Sequence, residues 1–207
     1  MADKDTARNF FNQLRQKFID WNYSLWNSDK FKDNEKAVLD IEANRVLEKI
    51  DNDDININGD IIHSFSVSHD SKDAKNFVLD DGINKLAYVT DTGYINKKHF
   101  ELLTNCDIYL FESNHDIEML NNGPYPKWLK ARVLSDVGHL SNISASVYLA
   151  KLIGPVTKKI VLIHLSETNN TPVLALDTIK EIFDEYSINF SNIICAYQNE
   201  ISEVIEI

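Results

Sequence analysis

The sequence predicts an α/β or layered α+β domain. Three observations point that way. From Ile55 onward, short apolar runs of strand length alternate with segments of helical period. Turn chemistry, such as Asp80-Asp81-Gly82 and Gly123-Pro124-Tyr125-Pro126, falls between those runs. Several of the strand-like runs end on a histidine or an aspartate, where a rigid sheet can aim polar groups at one spot.

Taken in order, residues 6–27 place Phe10, Leu14, Phe18, Trp21 and Leu25 at three- and four-residue steps, an amphipathic helix that Asp5 or Thr6 can cap. A second helix is expected over 33–50, with Ala37, Val38, Ile41, Val46, Leu47 and Ile50 apolar, before turn residues at Asp51–Asp54 and Asn58-Gly59. Ile61–Val67 alternates as a strand. Phe77–Leu79 and Lys85–Thr90 flank Asp80-Asp81-Gly82 as a hairpin. His99–Thr104 reads as a short helix, Ile108–Phe111 as a buried strand and Ile117–Leu120 as helical. Lys127–Arg132, the densest basic stretch, fits the solvated face of a short helix and is also a candidate phosphate contact. Asn142–Ile153 is expected as a helix capped by Ser141 or Asn142, Ile160–Ile163 as a strand, Ala175–Tyr186 as a helix and Asn192–Tyr197 as a closing strand.

With 207 residues and 43% hydrophobic content, the chain can bury one sizeable core. Cys106 and Cys195 sit in apolar surroundings and read as reduced core thiols. No run is long enough to span a bilayer and the first residues lack a signal peptide's apolar core, so the expected location is cytoplasmic, with no membrane partner. A net charge of −11 is the wrong sign for a general nucleic-acid coat. It leaves room for a nuclease, because a metal centre brings its own positive charge and needs acidic ligands.

His69, Asp91 and His164 each follow a strand-like run, forming a two-histidine, one-carboxylate set suited to a cation. Asp91 offers two carboxylate oxygens at the end of a clean strand, and Thr92-Gly93 turns the chain behind it. His139 lies between a loop and a helix start. Glu112 and His115 follow the strand Ile108–Phe111; a carboxylate beside a histidine orients the ring and suits it to proton donation. His115 with Asp116 reads equally well as a surface pair, and His63 and His99 receive no role.

Six blocks carry a resemblance to a known family: Phe65-Ser66-Val67-Ser68-His69-Asp70, Thr90-Asp91-Thr92-Gly93-Tyr94, Phe111–Leu120, Gly123-Pro124-Tyr125-Pro126, Leu134–Asn142 and His164–Pro172. In order and spacing they resemble the WalJ/YycJ-type metallo-β-lactamase-fold hydrolases from about Asn44 to the C-terminus. Glu112, Gly138-His139-Leu140-Ser141 and His164-Leu165-Ser166 are more distantly similar to tRNase Z elements. The resemblance implies an αββα fold, two zinc or manganese ions, and attack of metal-activated water on a phosphodiester, with DNA exonuclease activity in WalJ/YycJ-type members. It also implies that His69, Asp91 and His164 ligate metal, with Asp91 bridging. His139, oriented by Glu112, would then assist the leaving group.

The family's N-terminal half, with its His-x-His-x-Asp-His loop, has no counterpart: no histidine precedes His63. The expected organisation is a helical segment over 1–43 and an incomplete αββα fold, mainly its second αβ half, over 44–207. One weak zinc or manganese site is expected in place of a full dinuclear pair. Half of a sandwich leaves an apolar sheet face and an open edge, to be covered by the helices at 6–27 and 33–50, a homodimer partner or a complementing chain. Three functions follow: a reduced phosphodiesterase or nuclease, a catalytically inactive pseudoenzyme or interaction module, or one half of a split hydrolase.

Overall fold

The computed structural model describes residues 54–57, 59–200 and 202. The expected helices over 6–27 and 33–50, and the boundary at 43/44, lie outside these residues. A seven-stranded sheet runs in sequence order: β1 (Ile55–Ile57), β2 (Asp60–Ser66), β3 (Lys75–Asp80), β4 (Lys85–Val89), β5 (Ile108–Glu112), β6 (Lys159–Ile163) and β7 (Ile193–Cys195). The β1–β4 pairings are antiparallel; β4, β5, β6 and β7 are parallel. This is the mixed α/β class that the alternating pattern predicts.

The β3–β4 hairpin forms where the aspartates were expected to turn the chain. Asp81 Oδ1 accepts the amides of Ile83 (2.8 Å) and Asn84 (2.6 Å), and Asp80 Oδ1 accepts that of Gly82 (2.8 Å). Gly82 has φ of 82°, which a residue without Cβ adopts freely.

Period-two alternation sorts the sheet into two faces. Val78, Ala87, Tyr109 and Ile160 are paired neighbours across β3–β6 and are wholly buried. Beside them run Val89, Phe111, Leu162 and Cys195. Two helices complete this core. The first, Asn142–Leu152, buries Ala145, Leu149 and Leu152; the second, Pro172–Glu185, buries Ala175, Ile179 and Phe183 at four-residue steps. Across the opposite face, the register aligns Ser64, Phe77, Tyr88, Leu110, Val161 and Ile194 in a mostly apolar row.

In chain order the described helices are α1 (Phe100–Leu103, entered through a 3-10 turn at Lys97–His99), α2 (Ile117–Asn122), α3 (Lys127–Val133), α4 (Asn142–Leu152) and α5 (Pro172–Glu185). Ser141 caps α4 by accepting the Ser144 amide, as its sequence position suggests. Helix α5 begins three residues before the expected Ala175, because Thr171 caps it and Pro172 fits the first helical position, where no amide is needed. Cys106 and Cys195 are buried free thiols pushed up to about 11 by burial, consistent with inert core residues. Among the described residues no helix is long and apolar enough to cross a membrane.

Candidate metal centre

Strands β2, β4, β5 and β6 point the same way, so their C-terminal ends meet at one edge of the sheet. Such carboxyl ends are where open α/β sheets place ligands. Asp91 follows β4, Glu112 closes β5, His164 follows β6, and His69 lies just beyond β2. His139 reaches the same place from the loop before α4. Asp91 and His164 both hold left-handed backbone, with φ of 49° and 57°. Non-glycine residues adopt this conformation at a cost, and such strain collects at functional sites. The Asn114 side chain supports the turn at His164 by donating to its carbonyl at 2.9 Å.

Asp91, Glu112, His139 and His164 each bring one ligand atom within 4.8 Å of the others. Asp91 Oδ1 lies 3.5 Å from His164 Nδ1, 3.6 Å from His139 Nδ1 and 4.0 Å from His69 Nε2. Ligands held at about 2.1 Å around a tetrahedral cation are roughly 3.4 Å apart. The separations of Asp91 from His139 and His164 therefore fit a divalent cation in chemistry and in spacing. His69 is oriented for the same purpose: its Nδ1 is 3.1 Å from the Gly138 carbonyl, which leaves Nε2 facing Asp91. His69 and His164 each have ring centroids 5.1 Å from that of His139.

Glu112 meets the rings of His139 and His164 at the same nitrogens that face Asp91. Its Oε1 is 2.8 Å from Nδ1 of both His139 and His164, and its Oε2 accepts the amides of Thr92 (3.2 Å) and Leu140 (3.1 Å). Burial alone would push this fully enclosed carboxyl up. Hydrogen bonds from the two rings, the His139 charge and the Leu140 amide overcome that and hold it at about 2. Glu112 in turn raises His164, the most open of the three rings. One carboxylate thus holds two imidazoles by the same Nδ1 atoms that face Asp91, so a cation bound at those nitrogens would take the place of the Glu112 hydrogen bonds.

Gly93 and Gly138 let the loops approach this closely. A Cβ on Gly93 would stand 2.2 Å from the Asp136 carbonyl oxygen, and one on Gly138 would stand 2.2 Å from that of Val133. The Gly93 amide also donates to the Ser68 carbonyl at 3.0 Å, joining the His69 and Asp91 turns.

Five of the six residues singled out from sequence converge here: His69, Asp91, Glu112, His139 and His164. Within the group the tight four-membered set includes His139 and Glu112, and His69 stands at its margin. His115 lies outside it. Its ring is 1% exposed, neither nitrogen has a hydrogen-bond partner among the described residues, and burial pushes it down to about 4. Its neighbour Asp116 accepts the Met119 amide as the cap of α2. Sequence reasoning missed the second ring on Glu112 and the Asn114 support, for which no spacing rule gives a signal. It also missed the bond between Arg132 and Asp70, although both residues stood inside stretches it had marked.

A mixed sheet gathering histidines and carboxylates at its strand ends defines a candidate metal-binding α/β protein. No family model matches the sequence. The exodeoxyribonuclease YycJ of Bacillus anthracis is 41% identical over 133 residues, 64% of this chain and 50% of that protein. The exodeoxyribonuclease WalJ of Streptococcus pneumoniae serotype 2 (strain D39 / NCTC 7466) is 41% identical over 160 residues, 69% of this chain and 56% of that protein. A short match of 37 residues, 49% identical, joins 18% of the chain to 6% of the V-type ATP synthase alpha chain of Treponema denticola. Among solved structures, the metallo-beta-lactamase fold protein YhfI of Bacillus subtilis aligns with a TM-score of 0.48 at 16% identity, covering 70% of this chain and 49% of that one. Over the matched region, the chain is similar to these WalJ- and YycJ-type proteins. It spans about half the length of these curated relatives.

Proposed function

We propose that the protein is a metal-dependent phosphodiester hydrolase of the nuclease type, acting on DNA. The observation that carries this reading is the set of Asp91, Glu112, His139 and His164 within 4.8 Å at the parallel strand ends. The relatives named exodeoxyribonucleases suggest the substrate. His69, Asp91 and His164 are the proposed ligands of zinc or manganese, in one weak site and not a full pair. A bound cation supplies Lewis-acid polarisation of a phosphoryl oxygen and a lower pKa for water. His139, held by Glu112 at 2.8 Å, is placed to give a proton to the departing oxygen. For His115 a catalytic part has weaker support, because its buried neutral ring touches no member of the set by hydrogen bonding.

One observation favours a second reading, a catalytically inactive descendant or interaction module: the match to WalJ and YycJ covers only about half of those proteins. The apolar neighbours Phe77, Tyr88 and Leu110, of which Tyr88 is exposed and the other two half-buried, support the further proposal of a homodimer or complementing chain, which light scattering of the purified protein tests. Metal analysis together with a phosphodiesterase assay decides between the functions. Stoichiometric metal, with turnover lost in Asp91→Ala, supports the enzyme. A preparation that neither retains added zinc or manganese nor turns over the diester leaves the inactive reading.

A further inference from the structure

The metal centre opens into a cleft of about 340 Å³ lined by His139, His164, Tyr125, Leu129, Ser166 and Arg132, among others. For a chain of net charge −11, a polyanionic substrate needs local positive charge to approach. Among the described residues, Arg132 is the only lysine or arginine lining this cleft. It sits in the last turn of α3 with its side chain 40% exposed, so the guanidinium stands at the mouth and not in the core.

Its position is fixed at both ends. The Arg132 carbonyl accepts the Ser135 hydroxyl (2.7 Å) and amide (3.1 Å), and the next carbonyl, that of Val133, accepts the His139 amide at 3.0 Å. The start of the side chain is therefore set relative to His139. At the other end, Asp70 takes Nε and Nη2, the latter at 2.7 Å. Asp70 follows His69, and its Oδ1 is 3.6 Å from His69 Nε2. A guanidinium offers five N–H groups in a planar fork. Asp70 uses one edge, and Nη1 has no acceptor among the described residues. An exposed ion pair contributes little to stability, whereas a fork held with one edge open beside a metal centre is suited to bidentate capture of a phosphate.

We propose that Arg132 grips a phosphate of the substrate strand in this cleft, with Asp70 holding its guanidinium in register with the metal centre. The inference deepens the phosphodiester reading and rests on it. The test compares the parent protein, Arg132→Gln and Arg132→Lys. Binding of a short fluorescein-labelled oligothymidylate is followed by anisotropy over a salt series in chelator. Hydrolysis of bis(p-nitrophenyl) phosphate is measured with added manganese or zinc.

Arg132→Gln is expected to bind the strand about 10- to 100-fold more weakly. Its plot of log affinity against log salt should flatten by about 0.7, the share of one phosphate on a single strand. Arg132→Lys should restore the salt slope with only part of the affinity, and KM for the diester should rise more than kcat falls. A structural role alone would not move the salt slope. Turnover by the parent protein, with Arg132→Gln matching it in affinity, slope and KM, overturns the Arg132 assignment and leaves the phosphodiester reading standing. A parent protein that neither binds the strand in chelator nor cleaves the diester with added manganese or zinc removes both.

Discussion

Replacing Glu112 by glutamine keeps the side chain's shape and removes one charge from a fully buried position. The amide oxygen can still accept the Thr92 and Leu140 amides, so those two bonds survive. The amide nitrogen then faces Nδ1 of both His139 and His164, each 2.8 Å from the oxygen it replaces. Both rings must present a lone pair where they had presented an N–H. Two charge-assisted bonds become neutral, and the difference is about 1 kcal/mol each, or about 2 kcal/mol together. In a chain of this size that lowers Tm by about 4–8 °C. Because the rings lose the group that orients them, metal affinity should also fall by about 10- to 100-fold.

Urea unfolding of the metal-free protein, followed by circular dichroism, reads the first effect; zinc competition against a chromophoric chelator reads the second. An unchanged unfolding midpoint with unchanged zinc affinity would refute the orienting role. Near-total loss of binding would instead make Glu112 a direct ligand.

Two more outcomes follow from the geometry. His115 is held neutral down to about 4, whereas an unfolded histidine takes up its proton near 6.5. The unfolded chain therefore binds more protons between those values, and stability must fall as pH is lowered across that window. The full contribution, about 3 kcal/mol, is present above pH 6.5 and is lost as pH drops through 4. Urea midpoints measured from pH 7 to 4 should show that slope, and His115→Leu should flatten it. Separately, Gly138→Ala puts a methyl group 2.2 Å from the Val133 carbonyl oxygen and 2.3 Å from that of Arg132. Backbone has to move to relieve it, so a loss of more than about 2 kcal/mol is expected in a thermal melt, with weaker metal binding because the next residue is His139.

Much of the fold was legible because its signals are local. Strand alternation around Phe65, the aspartates beside Gly82 and the cap at Ser141 act over a few residues, and these three elements formed near their expected bounds. Boundaries slipped where one residue's chemistry outranked periodicity, as with Pro172 in α5. The site was legible in composition, since strand-end histidines and aspartates can be counted from sequence. Its internal arrangement was not. That Glu112 serves His164 as well as His139 depends on β5 and β6 being adjacent and parallel, a pairing between residues 52 apart. Nor does periodicity reveal that the His115 ring is enclosed without hydrogen-bond partners among the described residues, because an Asn-His-Asp loop reads as solvated.

The chemistry is insulated from the margins of the sheet. Asp91, Glu112 and His164 hang from β4, β5 and β6, while the outermost strands β1 and β7 supply no member of the cluster. Among the described residues, fraying at either border, or docking of another strand there, can proceed without displacing a member of that cluster. The interior parallel trio is the part whose disruption would scatter the donors.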